Sequence, residues 1–379
     1  MRAVALIDGE HYAPVVRDAL AGMPYEWVGA ILVGGTEKLR DGADYGVPLV
    51  GGFGDAEIVV DLSDEPVLGP AERFRWASRA LAARLPYVGA DFRFDPPQLE
   101  PFALPSISVI GTGKRVGKTA VTAHLARLLA RGREVVVVAM GRGGPPVPEV
   151  VETAPSIDEL LSLSRAGRHA ASDHLEIAAV AAVPTIGCRR AGGGLAGAVF
   201  TSNVAEGARL AAARSPDVVI FDGSGAAIPP VATDRRVLVV GRGAEADAYL
   251  NPYRRLISDV VIAVGVDVPD AIPAELRLRP IEPLEGRVAV FTAGSTDVGH
   301  LDAEVVHASA GLADRPRLRR ELAEIDADTY LVELKAAAID VVAEHAATNG
   351  KRVVLAANDV VADGLDEALL SLVPERTPA

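Results

Sequence analysis

One stretch limits what this chain can become more than any other. Gly111-Thr112-Gly113-Lys114-Arg115-Val116-Gly117-Lys118-Thr119 stands between an apolar run, Ser106–Ile110, and a segment of helical spacing, Thr119–Arg131. Glycines at a strand-to-helix turn let main-chain N–H groups close around phosphate oxygens. Lys118 is then expected to reach the β- and γ-phosphates of a nucleotide as a point charge, and the Thr119 hydroxyl to serve as a magnesium ligand. All nine positions, Gly111 through Thr119, form the expected nucleotide-binding set. From the residue frequencies, a Gly-Lys-Ser/Thr tripeptide arises about 0.04 times by chance in such a chain. One departure stands out. The common spacing has glycine where this chain has Thr112, and its first glycine lies one residue earlier.

A loop of this kind needs an acidic group at the end of a neighbouring strand to hold the metal through water. Val218-Val219-Ile220-Phe221-Asp222-Gly223-Ser224-Gly225 offers Asp222, followed by small residues that leave room for phosphate. A strand-ending aspartate that merely caps the next turn is the competing explanation. Asp61 ends a similar run with no phosphate loop nearby, and is read as structural. Two arginine-bearing segments look suited to a polyanion. In Met140-Gly141-Arg142-Gly143-Gly144-Pro145, glycines beside Arg142 allow close approach of an anion that the guanidinium can fork onto. Gly187-Cys188-Arg189-Arg190-Ala191-Gly192-Gly193-Gly194 repeats the theme with two arginines. Each could instead be a solvated loop. Cys188 reads as a small apolar filler.

The rest of the pattern is strand alternating with helix, which argues for an α/β chain with a mostly parallel sheet. Strands are expected at Val4–Ile7, Val28–Val33, Ile58–Leu62, Glu134–Met140, Val218–Phe221, Val237–Val240, Val260–Val264, Val288–Phe291 and Arg352–Ala356. Helices are expected at Tyr12–Leu20, Pro70–Leu85 and around Leu331–Ala346. The first of these has Val15, Val16, Ala19 and Leu20 on one face. Ser156-Ile157-Asp158-Glu159 fits a capping box. Asp91–Pro105, with four prolines, reads as a linker. The expected division is 1–100, an N-terminal α/β domain; 101–300, the nucleotide-binding domain; and 301–379, a C-terminal α/β extension.

Composition narrows the function classes. A net charge of −13 over 379 residues disfavours nucleic acid as a partner, because a phosphate backbone calls for a broad basic footprint. No apolar run is long enough to span a bilayer, so no membrane partner is expected, and the expected compartment is the cytoplasm. One cysteine excludes an intramolecular disulfide. Only five of the 38 basic residues are lysines, and two of them, Lys114 and Lys118, sit in the phosphate loop. That scarcity suggests that a compact ammonium is required there. Three weaker sites remain open. Asp8-Gly9-Glu10-His11 could bind a ligand or be a capped turn. Lys335 could reach an anion or pair with Glu333 or its surroundings. Asn251-Pro252-Tyr253-Arg254 could touch a base or start a helix. His124 is expected to be exposed.

The longer loop form, Gly-Thr-x-x-x-Val-Gly-Lys-Thr, resembles that of dethiobiotin synthetase and its relatives, which implies a P-loop NTPase-like mostly parallel sheet flanked by helices. Taken with Ile7–Tyr12, Val109–Arg115, Gly141–Pro145, Gly187–Arg190 with Gly192-Gly193-Gly194, and Leu334–Asp340, the chain resembles the cyclic 2,3-diphosphoglycerate synthetase family over most of its length. It is shorter than expected for the archaeal members. The resemblance implies an ATP- and Mg-dependent ligase that closes 2,3-diphosphoglycerate, a small polyanionic substrate, into a cyclic pyrophosphate. Under that reading Lys118, Lys114, Asp222 and Arg190 carry catalysis. Thr119 and Asp222 hold the metal. Arg142, Gly143, Gly144, Arg189, Arg190, Gly192, Gly193 and Gly194 bind substrate. A kinase or carboxylate-activating ligase of the dethiobiotin synthetase type, and a nucleotide-switch ATPase with protein partners, are the alternatives. A homodimer is the assembly considered, and the sequence does not specify it.

Overall fold

A computed structural model describes the chain except for Asp41, Ala244, Ser295, Ala336 and residues 374–379. Ala336, inside the Leu334–Asp340 motif, therefore lies outside the described residues. The chain divides into two compact units: Met1–Gln98 with Leu195–Gly197 and Glu245–Ile257, and all the rest.

The first unit is a five-stranded sheet. Its order is Glu26–Leu32, Arg2–Ile7, Ile58–Asp61, Tyr87–Val88, Arg93–Phe94, parallel but for the last pair. The Ala13–Gly22 helix buries Val16 and Leu20 but leaves Val15 and Ala19 exposed, so the apolar face is narrower than the spacing predicts. Asp8-Gly9-Glu10-His11 is a capped turn. Asp8 Oδ1 accepts from the main-chain N–H of Glu10 and His11, and Oδ2 from that of Asp64. Asn251–Leu256 is a short helix with Pro252 in its first turn, as the helix-start alternative predicts. Asp61 is buried and serves structure, accepting from the Ser63 and Tyr87 hydroxyls.

The second unit carries the phosphate loop on the Ser106–Gly111 strand, near the middle of a long sheet. Seven strands run parallel in the order Thr185–Ala191, Val135–Gly141, Val218–Asp222, Ser106–Gly111, Arg235–Gly241, Val260–Val264, Ile272–Pro280. Arg352–Val361 joins Ile272–Pro280 antiparallel, and Thr329–Glu333, Arg287–Phe291 and Glu304–Ser309 continue from it. The C-terminal extension thus prolongs the same sheet. The valine run fills a strand buried along its whole length, as expected where helices cover both faces. The Lys118–Ala130 helix packs Val121, Leu125, Leu128 and Leu129 into that core. The Ser156 capping box is present, with Glu159 reaching back to the Ser156 N–H at 2.7 Å.

Two further expectations fail, and one alternative falls. Leu331–Glu333 belongs to a strand, and the helical stretch begins only at Ala338, as a π-helical turn through Ala343 followed by Glu344–Asn349. A buried apolar run does not reveal its own period, and here sheet pairing wins. Gly187–Ala191 is the end of a strand rather than a solvated loop. His124 is half-buried, its Nε2 2.7 Å from Asp366 Oδ1.

Candidate active site

Parallel strands deliver their carboxyl ends to one edge of the sheet, and there the expected site residues gather. Asp222 pairs in register with Val109 and Ala139 on its two neighbours, which sets it beside the phosphate loop. The loop itself is tightly bent. Gly117 takes φ +93° and opens the Lys118–Ala130 helix, and Arg115 is also left-handed at φ +59°. Its floor has no room for a side chain at Gly241, where a Cβ would stand 2.6 Å from Val116 Cα. Thr112, in the position usually held by glycine, is buried, and its hydroxyl has no partner among the described residues. Lys114 and Arg115 are exposed.

Lys118 does not point into an open loop. Its ammonium donates to both Asp222 oxygens, at 2.9 and 3.0 Å, and the Thr122 hydroxyl donates to Oδ1 at 2.7 Å. Burial pushes the Asp222 carboxyl above the ordinary carboxylate range, opposed by Lys118 and Thr122. Lys118 and Asp222, expected from sequence to meet phosphate and metal, therefore satisfy each other here. The Thr119 hydroxyl makes no hydrogen bond among the described residues.

Across the edge, two guanidinium groups and the stem of Lys114 come together above Gly225. A Cβ there would lie 2.8 Å from Arg142 Nη2, 3.7 Å from Arg190 Nη2 and 3.8 Å from Lys114 Cγ. Segments far apart in sequence thus supply one positive cluster. Arg190 is held by two carbonyls, Ser224 O at 2.8 Å and Gly192 O at 2.6 Å, while its Nε is buried without a partner. Burial lowers its pKa, and the neighbouring Arg142 lowers it further. Gly192 and Gly193 fold back over Arg190 itself. Gly194 N donates to Ala198 O at 2.9 Å. Gly144 presses on the adjacent strand, where a Cβ would meet Cys188 O at 2.0 Å. Gly143 lies against His169. Arg189 is not brought into the cluster. Its side chain is exposed, since successive strand residues face opposite ways. Cys188 is buried, and burial pushes its thiol up to about 12.

Two groups escaped the sequence. Asp173, in the first turn of the Asp173–Ala181 helix, sets its carboxylate over Gly141, 3.0 Å from where a Cβ would stand, and acts electrostatically on both Asp222 and Arg190. The Ser172-Asp173 pair that starts the helix is the one local signal. Glu176, one turn on, accepts from Lys335 Nζ at 2.6 Å, so the ion pair of that rare lysine falls to Glu176 rather than Glu333.

Three family profiles match: the cyclic 2,3-diphosphoglycerate synthetase N-terminal domain over residues 2–95, its P-loop domain over 106–282 and its C-terminal domain over 294–359. Among curated relatives, the cyclic 2,3-diphosphoglycerate synthetase of Rubrobacter xylanophilus is 47% identical, with 98% of this chain and 97% of that one covered. Those of Pyrococcus abyssi and Methanothermus fervidus are each 38% identical, covering 94% and 98% of this chain and 94% and 96% of theirs. The Methanothermus alignment runs over 446 positions against 379 residues here, so this chain is the shorter form within the aligned region. Among solved structures, the ATP complex of LpxK from Aquifex aeolicus matches with a TM-score of 0.43 at 13% identity, over 73% of this chain and 91% of that one. Among the described residues, no helix is long and apolar enough to cross a membrane.

Proposed function

The chain belongs to the cyclic 2,3-diphosphoglycerate synthetase family, and from that premise we propose that it uses ATP and Mg²⁺ to close 2,3-diphosphoglycerate into a cyclic pyrophosphate, releasing ADP and inorganic phosphate. The observation that carries this reading is the gathering of Lys114, Arg142 and Arg190 above Gly225, on the sheet edge that holds the phosphate loop. Two like charges 4 Å apart repel by about 4 kcal/mol at a surface-like dielectric, and this substrate meets ATP with several such pairs. The cluster offsets that repulsion.

A substrate phosphate oxygen attacks the γ-phosphorus in line. The bond from that phosphorus to the bridging oxygen of ADP breaks, and ADP leaves with the electron pair. The second substrate phosphate then attacks the phosphorus of the first. Inorganic phosphate departs with the bridging oxygen, and the ring is closed. Lys118, Lys114 and Arg115 neutralise the transferring group. Arg142 and Arg190 hold the substrate phosphates, with Gly143, Gly144, Gly192, Gly193 and Gly194 giving the close approach; Arg189, on the opposite face of its strand, is left out of this role. Positioning and electrostatics supply most of the catalysis.

Thr119 and Asp222 form a hard-oxygen pair that suits magnesium, provided that Lys118 leaves Asp222 for phosphate. The metal, when bound, would neutralise charge on the β- and γ-oxygens. The division into 1–100, 101–300 and 301–379 is retained, with the ATP chemistry in the middle segment. The compartment under this reading is the cytoplasm, and the assembly to test is a homodimer.

Incubation with ATP, Mg²⁺ and 2,3-diphosphoglycerate, followed by phosphorus NMR, should give a new cyclic pyrophosphate signal. ATP hydrolysis that ignores the diphosphate, with no such signal, would refute the reading.

A further inference from the structure

Beside Gly143 and Gly144 lies a cavity of about 190 Å³ that the scheme above does not use. Its wall includes Glu149, Arg168, His169, Ser172 and His174. His174 is 4% exposed, yet its Nε2 has no hydrogen-bond partner among the described residues. A buried polar atom left unpaired is costly, and such atoms are rare in native proteins.

Ser172 can support a donor at Nε2. Its hydroxyl lies 3.0 Å from His174 Nδ1 and has no other partner among the described residues. With the hydroxyl donating to Nδ1 the ring proton sits on Nε2, and an anion at Nε2 selects that tautomer. The ring is also clamped. It packs on Gly187, where a Cβ would come within 2.6 Å of it. Burial lowers its pKa to about 4, so at neutral pH it is an uncharged N–H donor.

The charged surroundings say what such a donor can take. Arg168 is paired with Glu149 at 2.6 Å, so neither adds a net charge. His169 stands against Gly143, and Asp173 bears on the His174 ring electrostatically. A dianionic phosphate would feel the Asp173 charge and find no unpaired arginine in the cavity wall. A carboxylate brings one charge and two acceptor oxygens, which a neutral N–H donor suits. The diphosphate substrate carries one carboxylate besides its two phosphates, and Arg142, the first residue before the glycine pair, already belongs to the phosphate-binding cluster.

We propose that this cavity seats the carboxylate of the substrate, with His174 Nε2–H as its donor, and so selects an acidic diphosphate over one that lacks the acid. The inference rests on the reading under Proposed function.

Binding without ATP tests it. Calorimetry would compare 2,3-diphosphoglycerate with propane-1,2-diyl bisphosphate, which keeps the vicinal phosphates and loses the carboxylate. Wild type should prefer the acid by about tenfold to a hundredfold, the worth of a hydrogen bond to a charged group. His174→Phe should abolish the preference. His174→Gln, which returns an amide N–H near Nε2, should restore much of it. Ser172→Ala leaves the ring in place but removes the partner of Nδ1 that supports the Nε2–H form, and should lower the preference even if the Phe variant fails to fold. A wild type with no preference, or a preference intact in both His174→Phe and Ser172→Ala, overturns the proposal. Turnover is read separately. Cyclic product with a preference indifferent to His174 would sink the pocket and keep the reaction. No cyclic product with a preference that tracks His174 would do the reverse.

Discussion

Replacing Lys118 with alanine should do more than stop turnover; it should leave a stability defect that grows with pH. Lys118 and Asp222 are 10% and 0% exposed at the side chain and bond at 2.9 and 3.0 Å. Removing one partner of such a buried pair costs about 3–5 kcal/mol, because the other charge is stranded. The stranded group here can escape by taking a proton. Asp222 is already raised by burial, and losing the ammonium raises it further. Unfolded, it titrates near the ordinary value of 3.8. Between those two values the native state binds more protons than the unfolded one, so stability falls as pH rises through the window. At or below about pH 4 the variant should melt close to wild type. At about pH 8 it should melt lower by about 6–10 °C, taking about 2 °C per kcal/mol for a body of this size. Scanning calorimetry across that range reads the gap directly. A gap of constant size at every pH would refute the argument, since it would mean that Asp222 stays ionised without Lys118. A gap under about 1 °C throughout would show that the pair is not buried in solution.

Two further outcomes follow from the same geometry. Arg190→Ala should raise the KM for the diphosphate about tenfold to a hundredfold while leaving the KM for ATP within about twofold, as expected for one charge-assisted contact. Steady-state kinetics with each substrate varied in turn checks this, and equal effects on both would remove Arg190 from the substrate side. Cys188, with its thiol pushed up to about 12, should resist iodoacetamide in the native protein and react at least about a hundredfold faster once unfolded. Rapid native labelling at neutral pH would contradict the burial.

Much of this is legible in the sequence, and for a physical reason. A parallel strand covered on both faces must be apolar along its length, so Val135–Met140 and Val218–Phe221 announce themselves and end where the polar residues begin. What lies just past those ends is the edge where ligands of such sheets bind, which is why Asp222, Arg142 and the phosphate loop could be named as candidates from sequence, and the fold brings them to that one edge. Thr185–Ala191 hid because only its first four residues are buried, and its last two arginines read as loop. Asp173 hid for another reason. Nothing in a helix-starting Ser-Asp pair tells that the next strand end is a glycine, Gly141, over which the carboxylate can lie. The unpaired His174 Nε2 had no local signature at all, since the want of a partner is a property of the folded surroundings.

The Lys118–Asp222 pair joins these observations to the chemistry. A lone buried ammonium and a lone buried carboxylate would each be costly, and their contact offsets both penalties while the nucleotide is away. Phosphate is a stronger partner for Lys118 than one carboxylate, because it brings more charge to the same donor. Taking Lys118 to phosphate strands Asp222, unless a cation arrives with the phosphate. Under the proposed roles, the arrangement favours nucleotide that comes with its metal over nucleotide alone, by an amount set by the cost of leaving Asp222 unpaired. Asp173, close enough to raise the Asp222 pKa, deepens that cost and sharpens the preference. The ion pair is thus a coupling between cation binding and anion binding, built from two residues that the sequence places 104 positions apart.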